Sequence, residues 1–94
     1  MPDLYLVINY WEEQIDGTNG RDYVGVFESK DRAISVIRGF AQMIEAIYNE
    51  DVDIDEHLDE DKPYIVIYYN GINRFKIRKL IINEVSEGYE AKEL

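Results

Sequence analysis

The chain has 94 residues and a formal net charge of −10, from 20 acidic and 10 basic residues. A hydrophobic fraction of 46% and a charged fraction of 32% exclude a disordered chain and predict one globular domain over residues 1–94. The lack of cysteine excludes disulfides, a thiol nucleophile and cysteine-based zinc sites.

Two strands are predicted in the first third of the chain. Residues 4–11 (LYLVINYW) are a dense run of β-forming residues, and residues 23–28 form a second such run. Asp16-Gly17 and Asn19-Gly20, which lie between them, are typical turn dipeptides. The pattern predicts a hairpin with a long tip.

A long amphipathic helix is predicted next, from about residue 30 to residue 49. Ser29 is a favourable N-cap, and Asp31 lies in the first turn, where the helix dipole favours an acid. Gly39 costs about 1 kcal/mol relative to alanine inside a helix, and close packing on the sheet could explain its presence. The residues predicted to face the sheet are Ile34, Ile37, Phe40, Ala41, Ile44 and Ile47.

The last third predicts two more strands. An acidic connection over residues 50–62 ends at Pro63, and strands are predicted at 64–69 and 72–83 around the turn dipeptide Asn70-Gly71. We expect the acidic tail, 84–94, to form a short helix or to fray. The predicted fold is α+β: a four-stranded antiparallel sheet with one long helix on one face, in the order ββαββ. The other face must be polar or meet a partner.

The acidic connection is the first candidate for a functional surface. Nine acids lie between positions 45 and 61, and no lysine or arginine lies between Arg38 and Lys62. Such a block could dock on a basic protein in place of nucleic-acid phosphates, or it could be a solvated connection. Direct nucleic-acid binding is not expected for so acidic a chain. The candidate residues are Glu50, Asp51, Asp53, Asp55, Glu56, Asp59, Glu60 and Asp61.

The same block partly matches a calcium-binding loop. Asp51, Asp53 and Asp55 occupy the first three ligand positions, but Glu56 replaces the turn glycine and Lys62 replaces the last glutamate. We therefore do not expect specific calcium binding. Without a second histidine, a cysteine or a recognisable nucleophile or cofactor motif, the sequence predicts neither an enzyme nor a cofactor.

Aromatic residues suggest a second surface. Eight tyrosines and one tryptophan occur in the chain, and most fall on or beside predicted strands. Tyrosine is frequent at interfaces, so an exposed aromatic sheet face could contact a partner or a second copy; β-propensity and partial burial are the ordinary alternative. The candidates are Tyr5, Trp11 and Tyr68.

Basic residues cluster late in the chain. Arg74, Lys76 and Arg78 alternate with Phe75 and Ile77, which predicts that the three basic side chains share one face of the last strand. We expect this stripe to pair with nearby acids or with the acidic tail; an RNA-binding stripe is the alternative, which the acidic charge balance disfavours.

Residues 4–7 (LYLV) and 24–33 (VGVFESKDRA) resemble a family of short bacterial and phage domains of unknown function. These domains open with a V-Y-L-V strand and pass from a G-V-Y/F-S strand into a helix. Residues 81–84 and Gly88-Tyr89 echo the family's closing strand and its Gly-aromatic pair. The resemblance implies an α+β fold and a phage or bacterial setting, and it carries no activity.

The sequence therefore favours a non-enzymatic acidic binding protein. The sharpest hypothesis is a phage or mobile-element inhibitor, such as an anti-CRISPR or toxin-immunity protein, that blocks a basic nucleic-acid-binding surface. The alternative is a structural or regulatory module that homodimerises through a tyrosine-rich sheet face. With no segment typical of a signal peptide or a membrane span, we expect a cytoplasmic protein with no membrane partner.

Overall fold

The computed structural model describes residues 3–49, 51–85 and 88–93. Within these ranges the chain folds into one helix and six strands. In chain order they are β1 (Asp3–Glu13), β2 (Asn19–Phe27), α1 (Lys30–Tyr48), β3 (Asp53–His57), β4 (Tyr64–Tyr68), β5 (Gly71–Val85) and β6 (Gly88–Glu93).

The strands form one antiparallel sheet in the order β2-β1-β5-β4-β3. The long strand β5 pairs with β1 along one side. Along its other side it pairs with β4 over residues 72–76 and with β6 over residues 80–85. Strands β2 and β3 are therefore the two opposite edges of the five-strand path.

A tight turn over residues 14–18 joins β1 to β2. One carboxylate oxygen of Asp16 accepts hydrogen bonds from the backbone N–H of Thr18 at 3.0 Å and from its hydroxyl at 2.7 Å. The backbone bond is the main reason that the pKa of Asp16 is lowered. Gly17 has a φ of 69°, a conformation that glycine adopts without strain. Asn19 and Gly20 lie inside β2, so the hairpin tip is shorter than the sequence predicted.

The helix begins and ends close to its predicted bounds. The hydroxyl of Ser29 accepts a hydrogen bond from the backbone N–H of Arg32 at 3.0 Å, which confirms Ser29 as the N-cap. Asn49 ends the helix in the left-handed conformation, with a φ of 51°. The buried residues of the helix are Ala33, Ile34, Ile37, Ala41 and Ile44.

One expectation about the helix is wrong, and one suggested explanation fails. Ile47 is 65% exposed, because it lies in the last turn, beyond the last buried residue Ile44. Gly39 is exposed, and a Cβ added there would meet nothing within 4 Å, so close packing does not explain it. Phe40 does contact the sheet, with its ring edge-on to Phe75 at 5.1 Å between centroids.

The core lies between α1 and one face of the sheet. Its sheet side consists of alternate residues of three strands, each at most 2% exposed: Val7 of β1, Ile65 and Ile67 of β4, and Phe75 and Ile77 of β5. Burial of one such side chain stabilises the fold by roughly 1.5–3 kcal/mol. This packing fixes which residues of β1, β4 and β5 face away from the helix.

The α+β class, the antiparallel sheet and the single helix are confirmed, but the four-strand count and the ββαββ order are wrong. Strand β3 lies in the predicted acidic connection, and β6 lies in the tail that was expected to be helical or frayed. Both pair through the backbone with a single neighbour. Four of the five β3 side chains are exposed, so this edge strand forms without the apolar run that marks a central strand.

Candidate partner-binding site

The face of the sheet opposite the helix has a basic strip at its centre. Arg74, Lys76 and Arg78 of β5 share this face, as the sequence predicted, because they alternate with the core residues Phe75 and Ile77. Across the strand pairs, Tyr10 lies opposite Arg74 and Tyr64 lies opposite Lys76. The strip is therefore flanked by aromatic rings.

Side chains on this face cover one another. Val66 is 2% exposed and Ile8 is 6% exposed, although both point away from the helix. Val66 is paired with Arg74 and Ile8 with Lys76, whose long aliphatic stems can cover apolar surface. The ammonium of Lys76 also lies 4.5 Å from the centroid of the Tyr10 ring, in a cation–π contact. The centre of the face needs no partner to bury its apolar residues.

The acidic residues collect at one edge of the sheet. We define the acidic edge as Asp51, Asp53, Asp55, Asp59, Glu60 and Asp61, which follow one another along β3 and its connections and are all exposed. Asp53 and Asp55 point to the same side of β3, and the rise of an extended strand places their Cα atoms about 6.8 Å apart. Glu50, the remaining predicted member apart from Glu56, lies outside the described residues.

Glu56 does not belong to this surface, because it points to the helix side of β3. The guanidinium of Arg38 donates two hydrogen bonds to its carboxylate, both at 2.8 Å. These bonds lower the pKa of Glu56 and raise that of Arg38. The pair ties the edge strand to the helix and removes one acid from the charge available to a partner.

His57 lies between two residues of the acidic edge. Its Nε2 is 2.9 Å from Asp55, its Nδ1 is 3.5 Å from Glu60, and its ring stacks on Tyr64 at 4.4 Å between centroids. The hydrogen bond to Asp55 is the main reason that the pKa of His57 is raised. The charge of the acidic edge therefore depends on the protonation of His57.

The three aromatic candidates do not share a face. Tyr5 packs against the core on the helix side, and Trp11 lies on that same side of β1, over Gly20 of β2. Tyr68 is exposed on the opposite face, beside the acidic edge. Among residues 3–49 and 51–81, Tyr10, Tyr23 and Tyr64 accompany Tyr68 on the helix-free face.

A cleft of about 440 Å³ lies beside the beginning of the helix. Its lining includes Tyr5, Lys30, Lys62 and Lys79. The ammonium of Lys30 donates to the backbone carbonyl of Leu58 at 2.9 Å, and that of Lys79 is 3.2 Å from Asp3. Because two of its cations are engaged within the chain, the cleft is a poor site for an anion.

Neither metal-binding clusters nor a membrane-spanning helix occur in the described ranges. No three acidic or histidine side chains there could hold a metal ion together. The calcium-loop pattern of Asp51, Asp53 and Asp55 falls largely on an extended strand, whereas calcium coordination of this kind requires a tightly turned loop. The one helix found in these ranges is not apolar enough over its length to cross a membrane.

The strand over residues 53–57 was not predicted from the sequence, although a weak pattern of alternating apolar residues indicated it. Val52, Ile54 and Leu58 occupy even positions within the acidic segment, and Val52 and Leu58 pack against the core. This period of two is typical of a half-buried strand, but Glu56 interrupts it. Its carboxylate is accommodated by Arg38, a partner that the sequence alone does not reveal.

Comparison with known proteins gives no relative from which a function could be transferred. No protein-family model matches the chain, no curated protein matches it significantly, and no solved structure does so.

Proposed function

We propose that this chain is a non-enzymatic binding protein whose acidic edge docks on a basic surface of another protein. The observation that carries the proposal is the concentration of six exposed carboxylates along one edge of the sheet. Of these, only Asp55 and Glu60 have an ionic partner in the described part of the chain, and that partner is His57 in both cases. Asp51, Asp53, Asp59 and Asp61 are left to attract a cationic partner.

The partner is a basic nucleic-acid-binding protein in this proposal. Asp53 and Asp55 lie on one side of β3, and Asp59 and Asp61 follow in the connection, so exposed carboxylates succeed one another along this part of the chain as phosphates do along a nucleic-acid strand. A phage or mobile-element inhibitor of the anti-CRISPR or toxin-immunity kind would use this likeness to block its target. Dimerisation through a tyrosine-rich sheet face has less support, since Tyr5 and Trp11 lie on the helix side.

The first prediction tests the acidic edge by charge removal. The variant Asp53→Asn/Asp59→Asn/Asp61→Asn removes three exposed carboxylates. Asp55 is left unchanged because its carboxylate contacts the imidazole of His57 at 2.9 Å. Immobilised wild-type chain and variant are compared for the proteins that they retain from a bacterial lysate. We expect the wild-type chain to retain a nucleic-acid-binding protein that heparin releases and that the variant binds at least about tenfold more weakly.

The matched control removes three exposed acids elsewhere, as Glu12→Gln/Glu28→Gln/Asp31→Asn. Both triple variants lose three of the ten net negative charges, so overall charge does not distinguish them. Equal loss of binding in both variants would mean that only net charge matters. Partners that bind both variants normally and resist heparin would contradict the proposal.

A further inference from the structure

A recess of about 460 Å³ opens on the helix-free face, where β4 borders β5. Four of the ten basic residues of the chain meet in it, together with a single acid. In a chain of net charge −10, this reverses the overall charge balance at one place, so the recess attracts anions. The residues that line it are Glu60, Lys62, Tyr64, Arg74, Lys76 and Arg78.

Backbone pairing brings these cations together from two segments of the chain. Arg74 and Lys76 lie on one face of β5, two residues apart, so their Cα atoms are separated by about 6.8 Å. The backbone N–H of Ile77 donates to the carbonyl of Pro63 at 3.1 Å, which places the preceding Lys62 beside the same stretch of β5. The cationic lining therefore depends on the fold and not on a continuous basic run.

Three of these cations have no carboxylate partner among the side chains that the structure describes. Neither Lys62 nor Arg74 forms an ion pair there. Lys76 contacts the ring of Tyr10, and this contact leaves its positive charge uncompensated. Like charges side by side repel one another, so a bound anion would relieve the repulsion among them.

An aromatic ring lies beside the cations. Tyr64 pairs with His57 on the β3 side and with Lys76 on the β5 side. Its ring stacks on the His57 ring, with 4.4 Å between centroids and 12° between planes, so one ring face is covered from the β3 side. The other face points toward β5, where Tyr64 lines the recess. A planar base can stack on such a face.

Acids around the recess limit the size of the ligand. Asp53 and Asp55 lie on the same sheet face, two strand spacings from β5, or about 10 Å. Glu12 lies on this face in β1, on the other side of β5. A nucleic-acid strand that extended beyond the recess would bring phosphates against these carboxylates, whereas a single nucleotide would not. The charge distribution therefore favours a small phosphate ligand over a polymer.

We propose that the recess binds a nucleoside diphosphate or triphosphate. Lys62, Arg74 and Lys76 hold the phosphates, to which the planar guanidinium of Arg74 offers two parallel N–H donors. The base stacks on the ring face of Tyr64 that His57 leaves uncovered. The acidic edge contributes only Glu60 to this recess, so the proposal does not depend on the docking partner of that edge.

The second prediction concerns nucleotide affinity. ATP, GTP, CTP and UTP are titrated separately into the full chain without divalent cations, at about 0.1 M salt, where distant charges are screened. We expect at least one of them to bind with a dissociation constant below about 1 mM. Arg74→Gln/Lys76→Gln should raise that constant at least about tenfold. The matched control Arg21→Gln/Arg32→Gln removes two exposed cations outside the recess and should leave it within about twofold.

Ligand fragments separate the two halves of the site. Tyr64→Leu should weaken nucleotide binding at least about fivefold and leave the binding of inorganic tripolyphosphate within about twofold, because only the nucleotide has a base to stack. Tripolyphosphate bound as tightly as every nucleotide would overturn the assignment to a nucleotide. A single-stranded RNA of about 12 nucleotides bound more than about tenfold more tightly than any nucleotide would overturn it in favour of a polymer.

Amide chemical shifts of the wild-type chain keep the test valid if a variant unfolds. The bound nucleotide should shift the amide signals of Lys62, Tyr64 and residues 74–78 most. No binding of any nucleotide at about 10 mM, shifts confined to other residues, or an equal loss of affinity in the control variant would each overturn the proposal. None of these results bears on the acidic edge as a docking surface, since the assay contains no protein partner.

Discussion

Two asparagines in the core illustrate how a single polar atom affects stability. Both Asn9 and Asn73 are more than 90% buried on the helix side of the sheet. Asn73 donates its Nδ2–H to the hydroxyl of Tyr69 at 3.0 Å, whereas the side-chain oxygen of Asn9 has no hydrogen-bond partner in the described structure. A buried acceptor without a donor costs roughly 1–3 kcal/mol.

The third prediction follows from this difference. Asn9→Leu keeps the size of the side chain and removes the unsatisfied oxygen, so the free energy of unfolding should rise by about 1 kcal/mol. The Tm should rise by about 4–8 °C for a domain of this size, measured by circular dichroism. Asn73→Leu is the matched control and should lower stability, because it removes a hydrogen bond. If both variants were destabilised alike, the Asn9 oxygen would have a partner in solution.

The fourth prediction concerns the protonation of His57, the only histidine of the chain. Asp55 and Glu60 stabilise the imidazolium, so the folded pKa is above the unfolded value. The resulting stability is complete below the unfolded pKa and is lost as the pH rises through the folded pKa. An NMR titration should show the raised pKa, and Asp55→Asn should lower it. Asp53→Asn, on the same side of β3, is the control and should change it much less. An unchanged pKa in Asp55→Asn would contradict the assigned cause.

At the scale of the elements, two glycines have opposite roles, and they give the fifth prediction. Gly39→Ala adds a methyl group to open space on the helix and should raise stability by about 1 kcal/mol. Gly20→Ala should lower it, because the added Cβ would lie 2.5 Å from the Trp11 ring and force the ring to move. Urea denaturation of both variants measures this difference. A destabilised Gly39→Ala variant would show that the helix needs this glycine for another reason.

The two edge strands are protected from unwanted pairing to different degrees. Strand β3 has exposed Asp53 and Asp55, and charges on an edge strand discourage pairing with another sheet. Strand β2 exposes Tyr23, Val24 and Val26 and has no such row of acids. Edge protection alone would explain some of the acids on β3, but Asp59 and Asp61 lie in a connection that presents no strand edge. The acidic edge is therefore larger than protection of β3 requires.

At the scale of the whole molecule, charge is distributed unevenly across the sheet. The apolar edge β2, the basic strip of β5 and the acidic edge at β3 succeed one another along the strand order.

The sequence by itself determined the α+β class, the helix and its N-cap, and the shared face of Arg74, Lys76 and Arg78. These features depend on neighbours within a few residues, whose spacing is visible in the chain. Only the tertiary structure decided that residues 53–57 form an edge strand, that Glu56 turns to Arg38 and that Ile47 is exposed. The pairing of β3 with β4 and the reach of Arg38 across 18 residues depend on how the sheet and helix meet, and local sequence patterns do not encode that arrangement.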